Sequence, residues 1–548
     1  VRFPAGFKWC VATAAHQIEG GNEKSDHYQW EVSAPDRVIS RELVTNPLAS
    51  EILRQAGADI SSQKIACPEV STLNTISGKY DLFPLGFPDH LVRFRSSSPG
   101  KEKFCEYSGK SIDHWNRVDQ DILLLKHLGV QDYRMSIEWA KIEPEKGRFD
   151  ATALAHYTTE IHKLRLAGIR PEVTLFHFTM PQWLRSEGGW ENPESAHEFA
   201  RFTETVYRAF GPEVQTWYTF NEPMVHLTAG YLAGVLPPGE QAPQKMIQLM
   251  STILRAHAAS YHVLHKLADA AGASIQVGIA HHLRIFDPLT TQATWQEPHV
   301  FIKQKIETAG ARLADQLWNW LFFDALETGK LAIDMGWVSS IGTQLGFPLP
   351  TWLNFQQVDI ADLKGTQDFL GLNYYTRDTI EFNQLGFEVL FDGDHSFLSK
   401  ITSSLTTSLK PIVQPSALAR DDVSDLKWEL YPEGFYRILK ALDSRGKKYS
   451  NLHRSIIVSE NGIADATDNK RIRFLQTHLA AMARAMSEGV PVAGYCYWTL
   501  IDNYEWNSGY APKFGLYSVD LGTQERTIRP SGDWYAKLIR NNGWAASK

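Results

Sequence analysis

The sequence predicts an α/β protein built as a single (β/α)8 barrel, and two observations carry that prediction. Eight apolar, β-branched or aromatic runs alternate with longer segments whose apolar residues recur at three- and four-residue spacing. Most of the eight runs also stop on polar or aromatic residues. A parallel barrel gathers such endings on one rim, formed by the carboxyl ends of its strands.

The runs are FKWCVATAA (7–15), QDYRMSIEW (131–139), RPEVTLFHF (170–178), VQTWYTFNE (214–222), SIQVGIAHH (274–282), QDFLGLNYY (367–375), SIIVSENG (455–462) and VAGYCYWTL (492–500). Taken together they are apolar along most of their length, as strands buried on both faces should be. Between them, RVDQDILLLKHLG, LAHYTTEIHKLRLAG and RFLQTHLAAMARAMSEG show the helical period with glycine near the end. Right-handed crossovers place such helices outside the strands. Length alone suggests several domains, but the alternation reads as one, 1–548. It carries an insertion at 39–109, between the first strand and a helix starting near His114. A second long stretch, 382–422, follows the sixth strand. Both leave from the rim, where long loops are either functional or decoration.

A net charge of −7 points to neither nucleic acid nor an anionic membrane. Aromatics reach 12% with 17 tryptophans, which serve equally as core or as the stacking faces of a sugar cleft. The four cysteines (Cys10, Cys67, Cys105, Cys496) have no metal-ligand spacing, which argues against a zinc site and a disulfide framework, although Cys67 and Cys105 lie close enough in sequence to pair. No run is long enough to span a bilayer, no basic-then-apolar leader opens the chain, and no Asn-x-Ser/Thr sequon occurs. The chain therefore reads as cytoplasmic unless a leader has been removed. Nothing opposes a homo-oligomer.

Two runs end alike. YTFNEP (218–223) and SIIVSENG (455–462) each place a glutamate beside an asparagine at a strand end. The barrel brings strands four and seven across one pocket, so Glu222 and Glu460 form a candidate carboxylate pair. About 5 Å apart, such a pair performs retaining glycoside hydrolysis; further apart, with a water between, it inverts. Arg134 on the second strand would keep a neighbouring carboxylate ionised, as a nucleophile requires. Equally, it would form a buried ion pair without catalysis. The residues alone assign neither role.

FPAGFKWCVATAAHQIEG, TFNEP, DFLGLNYYT, YPEGFYRIL, VSENGI and YWTLIDNYEWNSGYAPKFGLYSVD occur in an order that resembles family 1 of the glycoside hydrolases, the β-glucosidase and β-galactosidase family. The resemblance covers nearly the whole chain except the first insertion. It implies a retaining exo-β-glycosidase acting on terminal β-glucosyl residues, with β-galactosyl or β-fucosyl residues as alternatives, on a small-molecule glycoside or oligosaccharide and without metal or organic cofactor. It implies Glu222 as acid/base and Glu460 as nucleophile, with Arg134, Tyr375 and Asn373 orienting the nucleophile. Asn221 would hold the sugar 2-hydroxyl, and Gln17, His177 and Glu505 the 3-, 4- and 6-hydroxyls. Trp498 would form the floor, Trp506 would donate its indole N–H, and Phe514 would close the pocket.

In the family's 6-phosphoglycosidases, a small residue replaces the glutamate of YEW. Glu505 remains here, and its carboxylate would repel a phosphate, so the implied glycone is unphosphorylated. Two departures stand out. HFT (177–179) replaces the common HWD, and Glu138 in IEW stands where serine is common. Insertion 39–109 matches no motif of the family and is expected to shape the leaving-group side or a subunit contact. A transglycosylase using the same covalent intermediate is the alternative within this chemistry. A noncatalytic sugar-binding relative is the alternative outside it, and such relatives typically lose one glutamate.

Overall fold

The structure is a computed structural model. It describes residues 1–32, 107–289, 298–333, 357–383, 386–391, 422–449 and 454–545, with three two-residue strands between 38 and 103. Most of insertion 39–109, most of the 382–422 stretch, and Cys67 and Cys105 lie outside the described residues.

Eight parallel strands close into a barrel: β1 (Lys8–Ala12), β2 (Asp132–Ser136), β3 (Arg170–Phe176), β4 (Thr216–Asn221), β5 (Gln276–His282), β6 (Leu370–Asn373), β7 (Ile456–Asn461) and β8 (Val492–Trp498). All eight fall within the predicted runs. A helix follows each strand: α1 (His114–Leu128), α2 (Ala151–Leu166), α3 (Ser195–Phe210), α4 (Met246–Ala271), α5 (Leu321–Thr328), α6 (Pro432–Tyr449), α7 (Arg471–Ser487) and α8 (Pro530–Asn541). Local chemistry sets their ends. Asp150 accepts hydrogen bonds from the N–H groups of Thr152 and Ala153 to start α2, and Gly129, in the left-handed conformation, closes α1 on the Leu125 carbonyl. No helix among the described residues is long and apolar enough to cross a membrane.

Alternate strand residues build two cores. Outward side chains such as Tyr133, Val173, Trp217 and Val277 pack with the helices in a large apolar layer. Inside, Tyr218, Ala280, Phe369 and Ile457 form a small plug. Register shifts fall between Tyr218 and Asn221, between Leu372 and Asn373, and between Val458 and Asn461, and one more lies at the start of β7, between Ile456 and Ile457. Such irregularities bend a strand and re-aim its last side chains. Three of the four fall where the polar endings are, and there they turn the rim toward the barrel axis.

One expectation is corrected. The cysteine spacing argued against a disulfide framework and offered Cys67 and Cys105 as the candidate pair, yet Cys10 and Cys496 are bonded. They are 486 residues apart, and register across β1 and β8 places them side by side.

Candidate active site

β7 delivers Glu460 to the rim, and both of its carboxylate oxygens accept hydrogen bonds. Arg134 Nη1, from β2, donates to Oε1, and the Tyr375 hydroxyl donates to Oε2 at 2.6 Å. Arg134 is fully buried and lies 4.8 Å above the Tyr218 ring, while its Nη2 donates to Asn221 Oδ1 at 2.8 Å. A guanidinium without solvent needs a compensating charge, and Glu460 supplies it. The glycine of SENG has a steric reason: a Cβ on Gly462 would run into the Trp498 carbonyl oxygen. No side chain fits where β7 and β8 come together under Glu460.

β4 delivers Glu222 from the other side. The NEP sequence makes a sharp corner: Glu222 adopts left-handed φ = 45°, and Pro223, needing no N–H partner, starts the short helix Pro223–Leu227. Glu222 Oε1 accepts from Asn373 Nδ2 at 2.7 Å. Burial pushes its pKa up to about 8, the negative charge of Glu460 adding to the effect while Asn373 opposes it. Asn373 also donates to Asn221 Oδ1 at 3.0 Å and accepts from Ser459 Oγ at 2.7 Å. The expectation that Asn373 orients Glu460 is therefore corrected. Its amide reaches Glu222, because the register shift at Leu372/Asn373 turns it toward β4. One chain of hydrogen bonds thus runs from Glu460 through Arg134, Asn221 and Asn373 to Glu222.

The remaining predicted residues surround the same cleft. Gln17 donates its amide to Asn503 Oδ1 and the Tyr504 carbonyl, leaving Oε1 buried without a protein partner among the described residues. His177 Nε2 lies 3.1 Å from Asn221 Nδ2, and its Nδ1 is likewise unpartnered. Glu505 Oε1 is the third such atom. Burial pushes the Glu505 carboxyl up to about 8, a hydrogen bond from the Trp498 side chain opposing the shift and the Glu460 charge adding to it. Buried polar atoms are normally paired inside a protein, at a cost of roughly 1–3 kcal/mol when they are not. Three of them from three separate strand ends suit a polyhydroxylated ligand.

Aromatic rings complete the walls. His177 lies nearly parallel to both Trp498 and Trp506, with centroids 6.0 Å apart in each case. Phe178 meets Trp506 edge-on at 5.1 Å. Phe178 and Trp506 both have positive φ, 73° and 48°. Aromatic side chains pay roughly 1–3 kcal/mol for that conformation, which persists only where its surroundings enforce it. Phe514 is buried against Tyr375 and Trp428, backing the wall that Trp498 faces.

The two departures from the family pattern touch each other. Thr179 Oγ1 donates to Glu138 Oε2 at 2.9 Å, so a hydroxyl and a carboxylate meet here with their usual positions exchanged. Burial pushes Glu138 up to about 7, with the charge of Glu19 adding to it. Beside them, Glu31 Oε1 bridges His16 Nε2 (2.8 Å) and His27 Nδ1 (3.1 Å), and His16 stacks flat on Trp506. This trio has the composition of a metal site, but hydrogen bonds account for each contact. His282 was missed as well, although it ends the fifth run by the same polar-ending rule. Its Nδ1 is 3.7 Å from Glu222 Oε2.

A sequence profile described as glycosyl hydrolase family 1 matches residues 93–544. The β-glucosidase A of Thermotoga maritima is 29% identical over 99% of this chain and 98% of its own. Arabidopsis thaliana β-glucosidase 47 is 30% identical over 78% of this chain and 76% of its own. Among solved structures, a β-glycosidase from Pyrococcus horikoshii superposes with a TM-score of 0.68 at 28% identity, covering 99% of this chain and 95% of the other. A Thermotoga maritima β-glucosidase in complex with glucoimidazole gives 0.69 at 26% identity, covering 99% and 100%. The profile covers most of the barrel, including both glutamate-bearing strands, and this chain therefore belongs to glycosyl hydrolase family 1.

Proposed function

We propose that this chain is a retaining exo-β-glucosidase. The observation that carries the reading is the unequal treatment of the two glutamates. Glu460 accepts from a guanidinium and a phenol on its two oxygens, an arrangement that suits an ionised nucleophile. Glu222 is held protonated at neutral pH by burial and by the neighbouring negative charge, as a general acid must be. In the first step Glu460 attacks the anomeric carbon while Glu222 protonates the departing glycosidic oxygen. In the second, Glu222 takes a proton from water, the water oxygen bonds to the anomeric carbon, and Glu460 leaves as a carboxylate.

Gln17, His177 and Glu505 offer the unpaired polar atoms for the glycone hydroxyls, over the rings of Trp498 and Trp506. A glucoside is preferred to a phosphorylated sugar because the Glu505 carboxyl, protonated below about 8, would face the 6-position, where it can donate to a hydroxyl but offers no cation to a phosphate. β-Glucosidase relatives and the glucoimidazole-bound neighbour support the glucose reading. Proton NMR of p-nitrophenyl β-glucoside during turnover tests the mechanism. β-Glucose is expected as the first product, and α-glucose appearing first would overturn it.

Asn221 is bound by both Arg134 and Asn373, which fixes its amide beside both glutamates. In this reading the amide meets the sugar 2-hydroxyl, a contact that strengthens as positive charge develops in the transition state. Asn221→Ala is expected to lower kcat/KM about a hundredfold or more for the glucoside. The loss should be far smaller for the 2-deoxyglucoside, and comparing the two substrates checks it.

A further inference from the structure

His282 ends β5, paired in register with Asn373, the residue that holds Glu222 Oε1. Its ring is fixed in place. Trp318 and Tyr375 meet it edge-on at 6.0 and 5.9 Å, and Trp318 Nε1 donates to the His282 carbonyl at 3.1 Å. The side chain is 10% exposed, and neither ring nitrogen has a protein partner among the described residues. Burial, reinforced by the charge of Arg284, drives its pKa well below the ordinary range, so the ring is a neutral imidazole. Nδ1 faces Glu222 Oε2 across 3.7 Å, and Oε2 is the oxygen that Asn373 does not hold.

A gap of 3.7 Å is too long for a hydrogen bond and too short to be unrelated. One oxygen atom placed beside it lies within hydrogen-bond reach of both ends. We propose that His282 and Glu222 together hold the hydrolytic water of the second step, the water giving one hydrogen to Glu222 Oε2 and the other to His282 Nδ1. With both hydrogens engaged, a lone pair of the water is free for the anomeric carbon. The balance is that of ordinary deglycosylation. The water oxygen bonds to the anomeric carbon, the bond from that carbon to Glu460 breaks with its electrons going to the carboxylate, and the proton goes to Glu222. His282 keeps its own proton on Nε2 throughout and acts as a positioning residue. The inference rests on Glu222 as the acid/base, and it goes further by naming what orients the second-step nucleophile.

The test is steady-state kinetics with 2,4-dinitrophenyl β-glucoside, whose leaving group needs little protonation, so that kcat reports deglycosylation. His282→Phe is expected to lower kcat about tenfold to a hundredfold while kcat/KM stays within about threefold. Azide attacks without giving up a proton, so it should restore turnover and yield β-glucosyl azide in Glu222→Ala, where no carboxylate repels it, and not in His282→Phe. His282→Gln, with an amide oxygen to accept from the same water, should recover part of kcat. Equal losses in kcat and kcat/KM would mean His282 only supports the fold, and unchanged kcat would remove it from the second step. Either result overturns the inference. Glu222→Ala, run beside it, should show the same split more strongly. Its failure to do so would overturn the acid/base reading itself, whereas a split in Glu222→Ala alone would overturn only the role of His282.

Discussion

Glu460→Ala is expected to lower kcat for p-nitrophenyl β-glucoside on the order of 10⁴-fold or more. No other group described in the cleft is placed to replace the carboxylate. Arg134, which would then point at the methyl group, is a cation without a nucleophilic lone pair, and burial pushes the Tyr375 phenol well above its ordinary value, so it stays neutral and a poor nucleophile. Small anions should recover part of the rate by occupying the space that the carboxylate leaves. Azide enters from the face that Glu460 used, so the product should be α-glucosyl azide, and its anomeric coupling in the proton NMR spectrum checks this. A β-azide product would instead mean that Glu460 is the acid/base and Glu222 the nucleophile. The variant should also shift Glu222. The Glu460 charge is the second cause of its high pKa, so removing that charge lowers the value from about 8, leaving burial as the main cause. Far-UV circular dichroism separates these effects from unfolding, which is a real risk because the substitution leaves the buried Arg134 guanidinium without its counter-charge.

What the sequence made legible was whatever local chemistry writes down. Eight largely apolar runs give eight strands because strands buried on both faces are rich in apolar residues. Glu222 and Glu460 were readable for a similar reason: NEP and SENG are corners, in which proline and glycine serve the backbone and turn the buried glutamate toward the barrel axis. Asn373 was placed near the site but with the wrong partner. A register shift between β6 and β7 decides which glutamate its amide reaches, and no residue pattern records a shift. The Cys10–Cys496 bond was hidden likewise, since it depends on how β1 meets β8 at barrel closure. Thr179 and Glu138 were each noted as departures, yet only the fold shows that they are hydrogen-bond partners. His282 is different. The pair of histidines ending GIAHH was visible, and the polar-ending rule applied to the other strands would have selected it.

Glu222→Gln is expected to show the second largest effect, and its size should depend on the substrate. For a cello-disaccharide, whose leaving alkoxide needs a proton, kcat/KM should fall about 10²- to 10⁴-fold. For 2,4-dinitrophenyl β-glucoside it should hardly change, since that phenolate departs unaided. The glutamine keeps the shape and still accepts from Asn373, so a change in fold would depress both substrates alike. The pH profile provides the second check. Wild-type kcat/KM requires the protonated acid, so activity is present below about 8 and is lost as pH rises through it. Glutamine has no proton to lose, and the limb belonging to Glu222 should vanish. Glu505 is also pushed to about 8, and it remains in the variant. The dinitrophenyl substrate, indifferent to the acid, then isolates it. Any basic limb that survives in Glu222→Gln belongs to Glu505 and reports how the charge on that carboxyl affects the glycone. A basic limb equal in wild type and variant would move the controlling ionisation from the acid/base to Glu505. A leaving-group-independent loss with an unchanged far-UV circular dichroism spectrum would withdraw the acid role from Glu222.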